Sequence, residues 1–298
     1  MLTAYFIAAL FIFLLAVAIF CFAAVIKVLS PFITAQLEII IATIFVATGL
    51  IFLNHISIVT LFTLPTIDNW YWLTLSGITG FLGGNYYALL NMKLTHEVNN
   101  SLLSPAITVT ASLLAAIFLN DNLTITGFFG LIITVSAVTA YQYNQFIFKV
   151  AKLGFVSGWV CVAFTSLSII CAIKGTANSN ISLFHSIFLR LLPVFILVLF
   201  LRLFSKQKLL PIIKTTSVKI LWLLIAGVLL QTIIATYLWF IASLSLGVSR
   251  FQILIALLPF AVAFIDAVLF KRKHLNSRFF LTALLAFIGV LLMFWQDL

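Results

Sequence analysis

Ten long apolar runs joined by short connections leave this chain few ways to fold. They fall near residues 4–28, 31–53, 69–92, 98–119, 124–143, 151–174, 182–204, 218–243, 249–270 and 277–295. A helix that spans a bilayer needs about 20 apolar residues. Helices are also the only open-ended element that satisfies its own backbone hydrogen bonds in lipid. Charged residues make up 7% of the 298, against roughly 25% in a soluble domain, so they are too few to coat a surface that faces water. The expected fold is therefore all-α and integral to the membrane, with ten transmembrane helices and the lipid bilayer as partner.

The sequence also repeats itself. Tyr86 falls on Tyr237, Leu123-Thr124 on Leu275-Asn276 and Gly130 on Thr282. Each copy holds five apolar runs, which divides the chain into residues 1–146 and 147–298, two repeats of one membrane domain. Five is odd, so the second copy threads the bilayer in the opposite sense, giving an inverted 5+5 repeat. Repeats of that kind build secondary transporters, which rock one half against the other around a site near the midplane.

Charge sets an orientation. The net charge of +10 does not point to nucleic acid, because the cations gather at helix ends, where they meet headgroups. Thirteen of the 16 Lys and Arg residues fall in odd-numbered loops, including Lys206, Lys208, Lys214, Lys219, Lys271, Arg272 and Lys273. The even loops hold Lys174 and Arg250, and Arg190 lies within a span. The positive-inside rule then places the odd loops in the cytoplasm of a multi-pass inner-membrane protein, with both termini outside. Cys21, Cys161 and Cys171 are scattered through apolar runs and read as small core residues rather than a disulfide framework.

The ordered set of local features resembles the drug/metabolite transporter superfamily, in its ten-helix EamA-type branch. Lys174 ends the sixth run and is followed by Arg190 in the seventh. The aromatic stretch Thr236-Tyr237-Leu238-Trp239-Phe240-Ile241 leads into Ala242-Ser243-Leu244. The ninth run opens at Gly247 and reaches Pro259, and Leu119-Asn120-Asp121-Asn122-Leu123-Thr124 forms the turn between the fourth and fifth runs. This likeness covers nearly the whole chain and implies five-plus-five architecture and transport of a small metabolite.

Glu38 and Arg190 are the ionisable side chains that stand out, 152 positions apart in equivalent runs of the two repeats. A charge inside a span costs about 2.5–3.5 kcal/mol on insertion scales, so it faces the bundle interior or a wet cavity. Three readings compete. The two form a structural ion pair, or they clamp the opposite ends of a zwitterion, or Glu38 carries protons during the cycle. Asn85, Asn99, Gln231 and Gln252 are expected to point inward, because an unbonded amide is costly in lipid. Tyr86, Tyr87, Trp159, Tyr237 and Trp239 are candidates for an aromatic pocket wall, and His185 lies close to Arg190. Asp266 is expected to serve as a helix-end partner for the Lys271–Lys273 cluster. Gly77, Gly80 and Gly84 lie on one helical face, where small residues let a neighbour approach closely.

Enzyme chemistry finds no foothold. There is no Gly-Lys-Ser/Thr phosphate loop, and His55, His96, His185 and His274 lack metal-ligand spacing. The expected function is secondary active transport of a small polar or amphipathic metabolite, with an amino acid or related zwitterion in the lead. Alternating access driven by protons or a counter-substrate, without a cofactor, would supply the energy. The chain would act as a monomer or homodimer. A carrier for a nucleotide-derived or larger charged metabolite is one alternative, and a membrane scaffold or lipid-handling protein is the other.

Overall fold

The computed structural model of the protein describes residues 2–52, 56–118, 125–148, 152–177, 181–205, 209–246, 251, 254–269 and 277–293. Among the described residues every regular element is a helix. Six helices are long and apolar enough to cross a membrane: Thr3–Val25, Pro31–Phe52, Glu97–Phe118, Lys152–Thr176, Leu183–Leu203 and Val218–Leu246. This is a multi-pass helical membrane protein. Its outer surface is apolar as well, with Phe6, Phe13, Phe45, Phe200 and Trp222 all exposed, as befits helices whose solvent is hydrocarbon.

The first long rods are α1 (Leu2–Val25) and α2 (Pro31–Phe52). A short helix α3 (Ile58–Thr63), capped by the Ser57 hydroxyl, leads to a bent rod. The rod starts at α4 (Ile67–Gly77), widens into a π-helical stretch π1 (Ile78–Gly84), and resumes as α5 (Asn85–Thr95). Thr66 and Asn69 form a reciprocal capping box at its start, satisfying backbone donors that a helix otherwise leaves open. After α6 (Glu97–Ser101) and α7 (Leu103–Phe118) comes α8 (Ile125–Phe148).

The rest of the chain repeats this sequence of shapes. The rods α9 (Lys152–Thr176) and α10 (Leu183–Leu203) precede the short α11 (Leu209–Thr215). A second bent rod follows: α12 (Val218–Gly227), π2 (Val228–Ala235) and α13 (Thr236–Leu246). Last come α14 (Leu258–Leu269) and α15 (Ser277–Met293). The two π-helical stretches end 151 residues apart, at Gly84 and Ala235.

Packing is exchanged between the two parts of the chain. Helix α9 lies against α4, π1, α5 and α7, while α1 lies against α12, π2, α13 and α14. Helix α10 packs on α2 and α4, and α8 pairs with α15. The α9 seam is polar as well as close. Asn69 Nδ2 donates to the Gly175 carbonyl at 2.8 Å, Ser76 Oγ to the Ser168 carbonyl at 2.8 Å, and Asn91 Nδ2 to the Gly154 carbonyl at 2.8 Å. The tight-interface reading of the glycine face holds. A methyl at Gly77 would overlap the Arg190 carbonyl, and one at Gly80 the Ser168 hydroxyl.

Three local details stand out. The fourth run does not open as one continuous helix: α6 stops at Ser101 and α7 begins at Leu103. His96, just before it, sits at φ 95°, a left-handed conformation that costs a non-glycine residue energy. Its ring accepts from the Val98 amide at 3.5 Å and pairs with Glu97 at 3.3 Å. Asp266 is fully buried within α14, while Lys271–Lys273 lie outside the described residues, as do Gln252 and the turn at 119–124.

Candidate functional site

A cavity of about 300 Å³ opens in the middle of the bundle, and Glu38 and Arg190 both stand in its wall. They do not touch. No ion pair joins Glu38 to Arg190, so the structural-pair reading of the two is corrected. Each charge is handled separately by its own neighbours.

Glu38 is buried on α2. Its Oε2 accepts from Asn85 Nδ2 at 2.5 Å, and its Oε1 accepts from the Thr232 hydroxyl at 2.5 Å. Gln231 Nε2 then donates to Asn85 Oδ1 at 3.3 Å. Thr232 and Gln231 belong to π2, while Asn85 follows π1, so this network links the two bent rods. Widening a helix to the π form turns successive side chains to new directions, which is why such stretches recur at functional sites.

Arg190 is less well served. One terminal nitrogen donates to Ser168 Oγ at 3.3 Å, its Nε has no partner, and the Phe81 ring lies 4.9 Å from the guanidinium carbon. A guanidinium has five N–H donors, so a single long bond and an aromatic face leave most of its capacity unused. Gly77 and Gly80 account for its position. Lacking side chains, they let α10 and α9 close onto the bent rod, and this brings Arg190 over Phe81.

Asn85, Gln231 and Trp239 also line the cavity, so five of the expected site residues come together. Six others lie outside the lining. Tyr86 meets Phe32 edge-on, with ring centres 6.0 Å apart, and Tyr87 stacks on Phe164 at 6.1 Å. Trp159 packs against a separate apolar cluster around Leu103, Val138 and Cys161. Tyr237 faces outward and meets Phe184 edge-on at 5.8 Å. Asn99 satisfies its amide locally, donating to the Thr95 carbonyl at 2.8 Å and accepting from the Tyr141 hydroxyl at 2.8 Å. His185 is fully buried and donates through Nε2 to the Leu61 carbonyl at 2.9 Å; a carbonyl can only accept, which fixes the tautomer.

Several lining residues had not been singled out. Thr232 and Ser168 hold the two charges, Phe81 faces Arg190, and Asn100 is buried with its Oδ1 unbonded. A common offset along the sequence is the signal that could have found Phe81 and Thr232. Gly80, Phe81, Gly84, Asn85 and Ala88 line the cavity, and 151 residues on so do Gln231, Thr232, Ala235, Thr236 and Trp239. Phe11, Leu15, Ile19 and Phe22 of α1 likewise correspond, 150 residues on, to Cys161, Thr165, Ile169 and Ala172 of α9.

No family model and no curated protein matches the sequence. One of the solved structures similar to this chain, a crystal structure of a protein, superposes on 97% of it and over 96% of its own length, with a TM-score of 0.67 at 14% identity. That likeness spans both parts of the chain and establishes a shared fold.

Proposed function

We propose that the protein is a secondary carrier that moves a small amphipathic zwitterion, with amino acids as the leading class, by alternating access. The observation that carries this reading is the pair Glu38 and Arg190, of opposite sign, lining one cavity without contacting each other. A buried charge left without its opposite is costly, and a ligand bearing both signs would compensate the two at once. Apolar neighbours such as Leu15, Ile19, Leu89 and Ile255 suit a hydrophobic body between the charged ends.

Ten spans in an inverted five-plus-five arrangement, with repeats at 1–146 and 147–298, complete the proposal. Its support is the matched spacing of the cavity-lining residues, the paired π-helical stretches and the exchanged packing of α1 and α9. The resemblance to EamA-type drug/metabolite transporters belongs to the same reading. The inner membrane and outward-facing termini follow from the loop charges alone. Glu38 offers a carboxyl through which protons would couple to transport, and an exchanged counter-substrate would serve equally.

A nucleotide-derived or larger charged substrate calls for several cations, and Arg190 is the one Lys or Arg among the described lining residues. A scaffold calls for a packed interior, which a cavity of this volume disfavours. The test is a thermal-shift screen of the purified protein against amino acids, amines and nucleotides, followed by uptake in liposomes. Stabilisation and uptake confined to zwitterions bears the proposal out; stabilisation by nucleotides alone ends it.

A further inference from the structure

Resting on the carrier reading above, we infer that the cavity takes its substrate in a fixed order: the carboxylate docks on Arg190 first, and the ammonium then reaches Glu38 by displacing the Thr232 hydroxyl, which releases the first bent rod's partner from the second. The two charges differ in how open they are. Among the described residues, Arg190 engages Ser168 Oγ at 3.3 Å and leaves its Nε unbonded. A carboxylate presents two oxygens to such a planar fork and forms paired, charge-assisted bonds with it. The Phe81 ring 4.9 Å from the guanidinium carbon packs against the group and takes up none of its N–H donors.

Glu38 is closed by comparison. Both of its oxygens are occupied at 2.5 Å, one by Asn85 and the other by Thr232. Asn85 is itself steadied by Gln231 at 3.3 Å. Glu38 lies on α2 in the first part of the chain, and Thr232 and Gln231 lie on π2 in the second. Two of the three hydrogen bonds therefore cross from one part to the other. The Thr232 hydroxyl already makes a bond assisted by the carboxylate's charge, but an ammonium brings a full opposite charge to the same oxygen, and away from water that attraction exceeds what a hydroxyl dipole offers, so it outcompetes Thr232 for Oε1. Asn100, also in the wall and with its Oδ1 unbonded, offers the ammonium only a neutral acceptor. Displacing Thr232 removes the shorter of the two crossing bonds and leaves the one at 3.3 Å between Gln231 and Asn85, which is how the ammonium end would loosen one body against the other.

The order assigns different jobs to the two ends of the substrate. The carboxylate decides binding, and the ammonium decides movement. Three probes sharing one apolar body separate them: leucine, 4-methylpentanoate (which lacks the amine) and 3-methylbutan-1-amine (which lacks the carboxylate). Binding is read as thermal stabilisation of the full-length protein in nanodiscs, and transport as counterflow in liposomes.

Leucine and 4-methylpentanoate should bind within about tenfold of each other, because the ammonium's bond to Glu38 replaces the Thr232 bond rather than adding to it, while the amine fails to stabilise. Leucine alone should exchange. In Thr232→Val, which removes the hydroxyl but keeps the shape, 4-methylpentanoate should begin to exchange; Thr232→Ser should restore wild-type selectivity. Stabilisation by the amine equal to that by the carboxylate, with leucine still carried, overturns the order and leaves the carrier reading standing. Binding of leucine alone, or Thr232→Val that exchanges no better than wild type, likewise overturns the order. If none of the three stabilises the protein, the order and the small-zwitterion reading fall together.

Discussion

Asn69 joins two distant stretches of chain through one side chain: its Nδ2 donates to the Gly175 carbonyl at 2.8 Å while its Oδ1 accepts from the Thr66 amide at 2.9 Å. The amide thus caps the bent rod and fastens it to α9 at the same time. Asn69→Asp keeps the acceptor and sets an anion against the carbonyl; Asn69→Ala loses both roles. Both should lower the melting temperature, alanine by the equivalent of about 1–2 kcal/mol from the cap and one interhelical bond. Thermal unfolding in detergent checks this, and an unchanged midpoint for both variants refutes it.

Gly80 sets how closely α9 can approach. A side chain there would overlap Ser168 Oγ and crowd the Arg190 guanidinium. Gly80→Val should destabilise by about 1–3 kcal/mol, the usual range for overpacking, and weaken ligand binding by displacing Ser168. Gly80→Ala should cost less stability when paired with Ser168→Gly than in the wild-type background, because the second change removes the atoms that the first would strike. A double-mutant cycle measures that coupling, and simple additivity would argue against the close approach.

Arg190→Gln removes the charge that lies over Phe81 and should weaken zwitterion binding by roughly ten- to hundredfold, the worth of a hydrogen bond to a charged group. Arg190→Lys should not restore it, since an ammonium lacks the planar fork and the ring-face geometry. Isothermal titration in nanodiscs provides the comparison. Full recovery by lysine would mean that charge alone matters there.

Glu38→Gln preserves most of the local bonding, because the new amide can accept from Asn85 and donate to the Thr232 oxygen. The variant should therefore fold with a melting temperature close to wild type. Its uptake should fall, because the ammonium loses the anion it docks on, and the uptake that remains should lose any dependence on external pH, the expected outcome when the group that exchanges the proton is gone. Retention of the wild-type pH profile in liposome uptake would remove Glu38 from the coupling scheme.

The positions of the helices were readable because lipid imposes length and apolarity on each of them: Pro31–Phe52 and Leu183–Leu203 fall within two residues of the runs read from the sequence. The glycine face was readable too, since Gly77, Gly80 and Gly84 leave a groove wherever a helix places them. What composition could not disclose was the direction of each polar group. Asn99 was a reasonable choice on cost grounds, yet it satisfies its amide at Thr95 and Tyr141, and its neighbour Asn100 lines the cavity instead. The tyrosines misled for a similar reason: Tyr86, Tyr87 and Tyr237 find edge-on or stacked partners, and such contacts suit an aromatic ring as well outside a cavity as inside one. Thr232 and Phe81 stand in widened turns whose register depends on packing between distant segments, so helical spacing alone does not locate them.

Thr134 and Ala286 are separated by 152 residues, and the hydroxyl of the first donates to the carbonyl of the second at 3.2 Å. Under the two-repeat reading these are the same place in each copy, so the contact lies beside the dyad that relates them. Under the carrier proposal, a contact between equivalent positions has no reason to break when the two copies exchange their conformations. A covalent staple at this spot should leave the carrier's stroke free, whereas one spanning the rim of the cavity should jam it. The seam between α8 and α15 would then be the bearing of the machine.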